Sequence, residues 1–325
     1  MATSLKEIRQ PVDAAMQHFE STFRASLKSN VPLLDRITHY IVKRKGKQMR
    51  PLLVFLSAKL FGEISERTFR GAALIELMHT ASLVHDDVVD DANLRRGFFS
   101  INALWKNKIA VLVGDFMLSR VLILAVKHKD YDLLEKVSEA VQEMSEGELL
   151  QIEKARRLDI KEEIYFNIIR QKTASLLKSC CSVGAISAGA SKEEIQVIEA
   201  FGEKMGIAFQ IKDDLFDYQE ENKTGKPALL DIQERKMTLP IIYTLQNCSK
   251  SDRSFIIRTV KSHNTDNERV MKVVSLVKEY GGIDYTEKKL QQTKEEALEI
   301  LHTFKQSPQR DNLERMLNFV LHRKS

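Results

Sequence analysis

Residues 64–91 read ISERTFRGAALIELMHTASLVHDDVVDD. The stretch contains no proline, and apolar side chains such as Leu74, Ile75, Leu77 and Met78 recur at helical spacing. A helix that is apolar or small nearly all round is typical of the centre of a large helical bundle. The stretch therefore predicts a buried helix in an all-α protein.

The rest of the chain has the same helical character. It contains six prolines, none of them between Pro51 and Pro227, and each lies beside a turn signal or at the start of an apolar run. Strand signals are nearly absent, and no Pro/Ser-rich linker divides the sequence, so we predict one domain over residues 1–325. Further helices are predicted at 33–45, 51–61, 100–127, 130–156, 161–189, 192–220, 234–247, 251–263, 267–280, 284–305 and 308–323.

Composition narrows the class of protein. The 325 residues are 43% hydrophobic and 29% charged, as in an ordinary globular protein. The formal charge of +5 is too small to indicate nucleic-acid binding, but it allows an anionic substrate or a transient membrane contact. Three cysteines, two of them adjacent, do not form a disulfide framework, and no apolar leader is visible, so we expect a cytoplasmic protein. The apolar run 109–126 is interrupted by Asp115 and Arg120, which favours a buried helix over a membrane span.

Two acidic clusters share the pattern Asp-Asp-x-x-Asp. They are HDDVVDD at 85–91 and KDDLFDY at 212–218, each near the C-terminal end of a long helical run. Carboxylates four residues apart share a helical face and repel each other, and a helix C-terminus is itself unfavourable for anions. A bound divalent cation offsets both effects. The Asp-Asp-x-x-Asp pattern offers carboxylate oxygens as ligands and no His or Cys. Mg²⁺ that is also bound by substrate phosphates is therefore the expected ion.

Basic residues near these clusters could bind the phosphates. Lys47 and Arg50 lie in a basic turn that enters a helix at Pro51, and a turn of this kind is a natural anion site. His79 precedes Asp86 by about two helical turns and therefore faces roughly the same side. Arg side chains match phosphate oxygens in geometry. The other basic candidates are Arg95, Arg96, Lys172, Lys226 and Lys236.

Several motifs in the same order resemble those of the trans-isoprenyl diphosphate synthases, especially the long-chain octaprenyl and solanesyl branch. They are KGKQMRP at 45–51, HTASLVHDDVVDDANLRRG at 79–97, ALWKNKIAVLVGDFMLSR at 103–120 and FQIKDDLFDY at 209–218. The resemblance implies the isoprenoid synthase fold, a single bundle of about ten to thirteen helices around a central cavity. It also implies a homodimer, with the helix at 100–127 as a plausible interface element.

The resemblance further implies a role for each candidate residue. Direct Mg²⁺ ligands would be Asp86, Asp90 and Asp213, supported directly or through water by Asp87, Asp214 and Asp217. Isopentenyl diphosphate would be bound by Lys47, Arg50, His79 and Arg96. The allylic diphosphate would be held by Arg95, Lys172, Lys226 and Lys236. Thr173 and Gln210 would lie beside the developing carbocation, and the catalytic group would comprise Lys172, Thr173, Gln210 and Arg95.

The sequence departs from the family pattern in the loops. Lys45 and Arg235 stand where glycine is common, Leu229 often has glycine as its counterpart, and Gln48 replaces a basic residue. These differences affect the loops that would bind the diphosphates and leave both aspartate clusters intact.

The expected reaction is ionisation of the allylic diphosphate, with about three Mg²⁺ ions assisting, followed by attack of isopentenyl diphosphate. The product length depends on the residues that lie about 7 Å deeper than Asp86 along its helix. Ala81 and Ser82 are small there, which predicts products longer than C20, while Met78 could form part of a floor. Close helix packing is the other explanation of the small residues.

Other functions remain open at this point. A class I terpene cyclase ionises a similar substrate, but the intact second cluster disfavours it. A short-chain synthase would release C15 or C20 product. A metal phosphohydrolase, suggested by His79 and by His85 beside Asp86, would need more histidine ligands than this pattern offers. A non-catalytic subunit of a two-chain synthase is a further possibility, which the retained aspartates disfavour.

Overall fold

The computed structural model describes residues 4–43, 46–95, 97–157, 161–218 and 230–322. The chain divides into two compact units. The first contains the described residues of Met1–Val141, Leu176–Glu199 and Phe304–Met316. The second contains those of Gln142–Ser175, Ala200–Thr303 and Leu317–Ser325. The prediction of one domain over 1–325 stays a prediction.

Helices make up almost all of the described chain. The α-helices are α1 (Leu5–Arg9), α2 (Asp13–Ser26), α3 (Pro32–Lys43), α4 (Met49–Phe61), α5 (Glu66–Val89), α6 (Ile101–Trp105), α7 (Asn107–His128), α8 (Tyr131–Arg157), α9 (Glu162–Ile169), α10 (Ser175–Ser187), α11 (Lys192–Phe216), α12 (Leu230–Gln233), α13 (Leu239–Asn247), α14 (Lys250–Ser262), α15 (Asn267–Glu279), α16 (Gly282–His302) and α17 (Pro308–His322). A 3₁₀ turn at Gln10–Val12 joins α1 to α2, and a π-helical turn at Arg170–Ala174 joins α9 to α10. The strands β1 (Leu94–Arg95) and β2 (Phe98–Phe99) form an antiparallel hairpin.

The all-α prediction is confirmed. The described residues contain seventeen α-helices, more than the ten to thirteen expected, because several are short and because α1 and α2 were not predicted. The predicted run 100–127 is divided at Lys106, which has φ 74° and ψ 157°, into α6 and α7. The run 161–189 is divided by the π-helical turn. The hairpin was also missed, since strands of two residues carry no periodic pattern.

Helix α5 is buried in the first unit, as the opening stretch predicts. It packs against α2, α4, α6 and α7. The side chains of Leu74, Ile75 and Leu77 have 0% of their surface exposed. Because the helix is apolar on several faces, it can contact neighbours on more than one side.

Helix α7 differs from its prediction. One face packs on α5, but only 33% of its most apolar window is buried. The opposite face exposes Leu112, Leu122, Ile123 and Val126. Among the described helices, α7 alone is long and apolar enough to cross a membrane. Core helices of soluble proteins often have the same length and composition. The prediction of a buried helix is therefore wrong for the exposed face of α7 in the single chain.

The second unit has a core of its own. Side chains from α9, α11, α13, α14 and α15 form one apolar cluster. Its fully buried members include Ile211, Leu239, Ile256, Val273 and Val277. This core supports the π-helical turn and the C-terminal end of α11, because Ile169, Ala174 and Ile211 belong to it.

A glycine allows α10 to approach α4 closely in the first unit. A Cβ added at Gly184 would lie 2.4 Å from the carbonyl oxygen of Val54 and 2.8 Å from Cβ of Ser57. Backbone cannot yield as a flexible side chain does, so we expect Gly184→Ala to lower the free energy of unfolding by about 1–3 kcal/mol. Urea denaturation measures this loss. The control Ser138→Ala, on the exposed face of α8, should change stability by less than about 0.5 kcal/mol. Equal stability of the two variants would contradict the close approach.

Candidate active site

The first aspartate cluster lies at the C-terminal end of α5, as predicted. The amide of Asp90 donates to the carbonyl oxygen of Asp86 at 2.8 Å, so the helical bond that aligns residues four apart is intact just beyond Val89. Asp86 and Asp90 are exposed, whereas Asp87 is 3% exposed. Asp86 and Asp90 are therefore accessible to a cation, whereas the Asp87 side chain is not.

Short segments after the cluster hold the end of α5. The side-chain amide of Asn102, itself buried, donates to the carbonyl oxygen of Asp87 at 3.0 Å. The hydroxyl of Ser100 donates to the carbonyl oxygen of Ala92 at 2.6 Å. The bond from Asn102 reaches a carbonyl of the last helical turn, and the bond from Ser100 holds the chain just beyond it. Asn102 was not predicted, because its contact with Asp87 spans fifteen residues of sequence.

Helix α7 approaches the first cluster at Gly114. A Cβ at this position would lie 2.1 Å from Nε2 of His85. The same nitrogen lies 3.3 Å from the carbonyl oxygen of Val111 and 3.5 Å from Oδ1 of Asp115. His85 therefore packs on the backbone of α7 beside the aspartates.

The second cluster lies at the C-terminal end of α11 in the second unit. Asp213 is half-buried and Asp217 follows the last helical turn. Asp214 is 4% exposed, and each of its carboxylate oxygens accepts a hydrogen bond. The Tyr165 hydroxyl donates to Oδ2 at 2.7 Å and the Gln210 amide to Oδ1 at 2.9 Å. Burial raises the pKa of Asp214 to about 7, although the bonds from Gln210 and Tyr165 oppose the shift.

The π-helical turn carries two of the predicted site residues. The hydroxyl of Thr173 donates to Oε1 of Gln210 at 2.8 Å, so these two predicted side chains contact each other. Lys172 forms an ion pair with Glu148, and its ammonium lies 3.4 Å from Oε1 of Gln151. A π-helical turn often marks a functional site, because it re-aims side chains within a helix.

Two glycines make room for this turn. A Cβ at Gly147 of α8 would lie 2.8 Å from the amide nitrogen of Lys172. A Cβ at Gly206 of α11 would lie 2.4 Å from Cα of Ala174. The sequence places Gly147, Glu148 and Gln151 on α8, but local pattern gave no reason to associate them with Lys172.

Lys236 is tied to the second cluster through Asp231. The ammonium of Lys236 lies 3.6 Å from Oδ1 of Asp231 and 2.5 Å from Oε2 of Glu234. The backbone amide of Asp231 donates to Oδ2 of Asp217 at 2.7 Å. Burial and the neighbouring Asp217 raise the pKa of Asp231. Asp231 was missed by sequence reasoning, and its only signal was an acidic residue five positions before the predicted lysine.

The remaining predicted residues fall in several places. Lys47 is exposed before α4, and Arg50 is half-buried in the first turn of that helix. His79 is 7% exposed on α5, two turns before Asp86. The three residues predicted to affect product length also lie on α5. Met78 and Ala81 are buried, and Ser82 is half-buried. Arg96, Lys226, Lys45 and Leu229 lie outside the described residues, as does the side chain of Arg95.

The donor set fits Mg²⁺. The accessible groups at both helix ends are carboxylates, the oxygen ligands that hard cations prefer. Within the described ranges, no three His, Cys, Asp or Glu side chains converge as a ready metal cage. Mg²⁺ is usually held by one or two carboxylates together with waters and substrate phosphates, so a cage is not required.

Comparison with known proteins identifies the family. The family model described as polyprenyl synthetase matches residues 31–277, which include both aspartate clusters. The chain belongs to the polyprenyl synthetase family. The chain is 36% identical over 326 residues to an all-trans-nonaprenyl-diphosphate synthase (geranyl-diphosphate specific) of Rhodobacter capsulatus, with 99% of each chain covered. It is 32% identical to the octaprenyl diphosphate synthase of Escherichia coli, covering 95% of this chain and 96% of that one.

A solved structure of the polyprenyl synthetase family is also similar. The polyprenyl synthase of Caulobacter crescentus, solved with calcium and isoprenyl diphosphate, matches with a TM-score of 0.91 and 29% identity. The match covers 100% of this chain and 99% of that one. The predicted isoprenoid synthase fold and the predicted enzyme class, a prenyltransferase, are thereby confirmed, and a phosphohydrolase is set aside.

Proposed function

We propose that this polyprenyl synthetase condenses isopentenyl diphosphate with an allylic diphosphate, head to tail, and releases an all-trans polyprenyl diphosphate longer than C20. The observation that carries the proposal is the pair of aspartate clusters, each at the end of a long helix. Asp86 and Asp90 are accessible at the end of α5, and Asp213 at the end of α11. Carboxylates in these positions need cations, and a metal-bound diphosphate supplies both the cation and the substrate.

Magnesium is the proposed cofactor, with about three ions per site when substrate is bound. Asp86, Asp90 and Asp213 are the proposed direct ligands, and Asp217 supports them. The bound calcium in the Caulobacter crescentus relative is consistent with a divalent cation in this fold. When bound, the ions act as Lewis acids on the diphosphate leaving group.

The side chains of the enzyme bind and orient the substrates. Lys172 and Lys236 hold the allylic diphosphate, and this requires Lys172 to exchange its ion pair with Glu148 for phosphate oxygens. Lys47, Arg50 and His79 bind isopentenyl diphosphate. On the basis of the resemblance, we also assign Arg96 to the isopentenyl diphosphate site and Arg95 and Lys226 to the allylic diphosphate site.

The π-helical turn helps to stabilise the allylic cation. Thr173 and Gln210 present oxygen dipoles to the allylic cation, and dipoles fixed before the reaction stabilise charge that develops in the transition state. The apolar helix α5 excludes water, which would otherwise capture the cation. The described residues at the π-helical turn offer no evident side-chain base, so the proton lost after coupling passes to the released diphosphate.

The proposed product length has two supports. The nonaprenyl and octaprenyl synthases that the chain resembles are named for products longer than C20. On α5, the positions one turn deeper than Asp86 carry only Ala81 and Ser82, so no aromatic ring blocks a growing chain there.

We further propose that the enzyme is a cytoplasmic homodimer. The exposed face of α7 carries Leu112, Leu122, Ile123 and Val126, apolar side chains that a second copy would bury. Contact with a membrane would be transient and limited to product release. Sedimentation of the purified chain tests the dimer.

Incubation with Mg²⁺, isopentenyl diphosphate and a short allylic primer, followed by chromatographic sizing, tests the proposed function. The expected result is linear product that grows with added isopentenyl diphosphate and exceeds C20. Cyclic hydrocarbon without isopentenyl diphosphate would indicate a cyclase instead. Absence of product from the purified chain by itself would point to a subunit of a two-chain synthase and overturn the proposal.

A further inference from the structure

A chain of hydrogen bonds, buried at Tyr165 and Asp214 and half-buried at Gln210 and Thr173, links α9 to the π-helical turn within the second unit. It runs from the hydroxyl of Tyr165 to Asp214, from Asp214 to the amide of Gln210, and from Gln210 to Thr173. The three links measure 2.7, 2.9 and 2.8 Å between donor and acceptor atoms. Tyr165 is 4% exposed and burial, the largest cause, raises its pKa well above the usual value, so its hydroxyl remains a donor.

The structure gives the direction of every bond. The NH₂ group of the Gln210 amide faces Asp214 and donates to its Oδ1 at 2.9 Å. The amide oxygen then points the other way and accepts from Thr173. Both oxygens of Asp214 are occupied in this arrangement, one by Gln210 and one by Tyr165.

We propose that Tyr165 is a positioning residue, which acts through Asp214 to hold the Gln210 amide in the one orientation that presents the oxygens of Gln210 and Thr173 to the allylic cation. The inference rests on the proposed function and deepens it. It also gives Asp214 a different role from Asp213, since the buried Asp214 orients Gln210, whereas the more accessible Asp213 is a proposed metal ligand.

The expected consequence concerns the rate of ionisation more than substrate binding. A dipole that is already oriented requires no reorganisation when charge develops, so loosening it weakens transition-state stabilisation. Neither diphosphate touches Tyr165 in this proposal. The Michaelis constants for both substrates should therefore change little when the hydroxyl is removed.

The test is Tyr165→Phe, which keeps the aromatic ring and removes only the hydroxyl. With Mg²⁺, isopentenyl diphosphate and a short allylic primer, we expect kcat to fall about 10-fold, with both KM values within about 2-fold of wild type. The matched control is Tyr285→Phe, because the Tyr285 hydroxyl also donates to a carboxylate of the second unit, Glu162, at 2.7 Å. This control should keep the wild-type kcat.

A second background separates positioning from a merely structural role. In Gln210→Leu enzyme the amide that Tyr165 orients is absent, so adding Tyr165→Phe should lower kcat no further. The inference is overturned if the double variant loses the same further factor, if Tyr165→Phe matches Tyr285→Phe, or if Tyr165→Phe changes only KM. If wild-type enzyme makes no elongated product, both the proposed function and this inference are overturned. If wild-type enzyme elongates the primer, a negative result for Tyr165→Phe overturns only the role of Tyr165.

Discussion

Asp86→Ala should lower kcat by about 100-fold to 1,000-fold, the loss typical of removing one group that stabilises transition-state charge. Asp86 is an accessible carboxylate at the end of α5, and its proposed partner Asp90 follows one helical turn later. Without Asp86 a cation keeps only part of its ligand set, so the diphosphate leaving group is less well neutralised. Steady-state assays at saturating Mg²⁺ and both substrates measure the effect.

The control for this variant is Asp35→Ala, which removes another exposed carboxylate from the same unit, in the first turn of α3. It should retain wild-type turnover. Thermal melting of both variants shows that each is folded. Near-normal activity of folded Asp86→Ala enzyme at saturating Mg²⁺ would show that the first cluster does not bind the metal through Asp86.

Ser82→Phe should shift the main product from longer than C20 to C15 or C20. Ser82 lies on α5, four residues before Asp86 and so about 6 Å deeper along the helix. It is half-buried, and its hydroxyl donates to the carbonyl oxygen of His79 on its own helix, at 2.9 Å. An aromatic ring at this depth would occupy the space that a lengthening chain enters. Product sizing by reversed-phase chromatography measures the shift.

Ser82 is a better position for this experiment than Ala81. The Ala81 side chain has 0% exposure, so a larger residue there would strain the core and obscure the result. Ser82→Ala is the matched control and should leave the product distribution unchanged. If Ser82→Phe enzyme still made product of wild-type length, the small residues of α5 would serve helix packing rather than product length.

The long helices were predictable because apolar periodicity and the spacing of proline are local properties of the sequence. The same applies to the aspartate clusters, since residues four apart at the end of α5 remain aligned in the structure. The short hairpin of β1 and β2 and the break at Lys106 carry no such periodic signal. The hairpin has a contact that is distant in sequence, since the Tyr40 hydroxyl donates to the carbonyl oxygen of Phe99.

Site residues were predictable only where a motif contained them. Tyr165 reaches Asp214 across forty-nine residues, and Asp231 reaches Asp217 across a segment of fourteen. Neither partner could be assigned from local pattern, because the pairing exists only after α9, α11 and α12 have packed. The different burial of Asp213 and Asp214, which are neighbours in the same motif, likewise depends on tertiary packing.

The most direct test is a crystal structure with Mg²⁺ and an unreactive thio-analogue of the allylic diphosphate. We predict metal ions within about 2.1 Å of carboxylate oxygens of Asp86, Asp90 and Asp213, which would also contact the phosphate oxygens of the analogue. Diphosphate bound without metal, or metal that contacts only one of the two aspartate clusters, would contradict it.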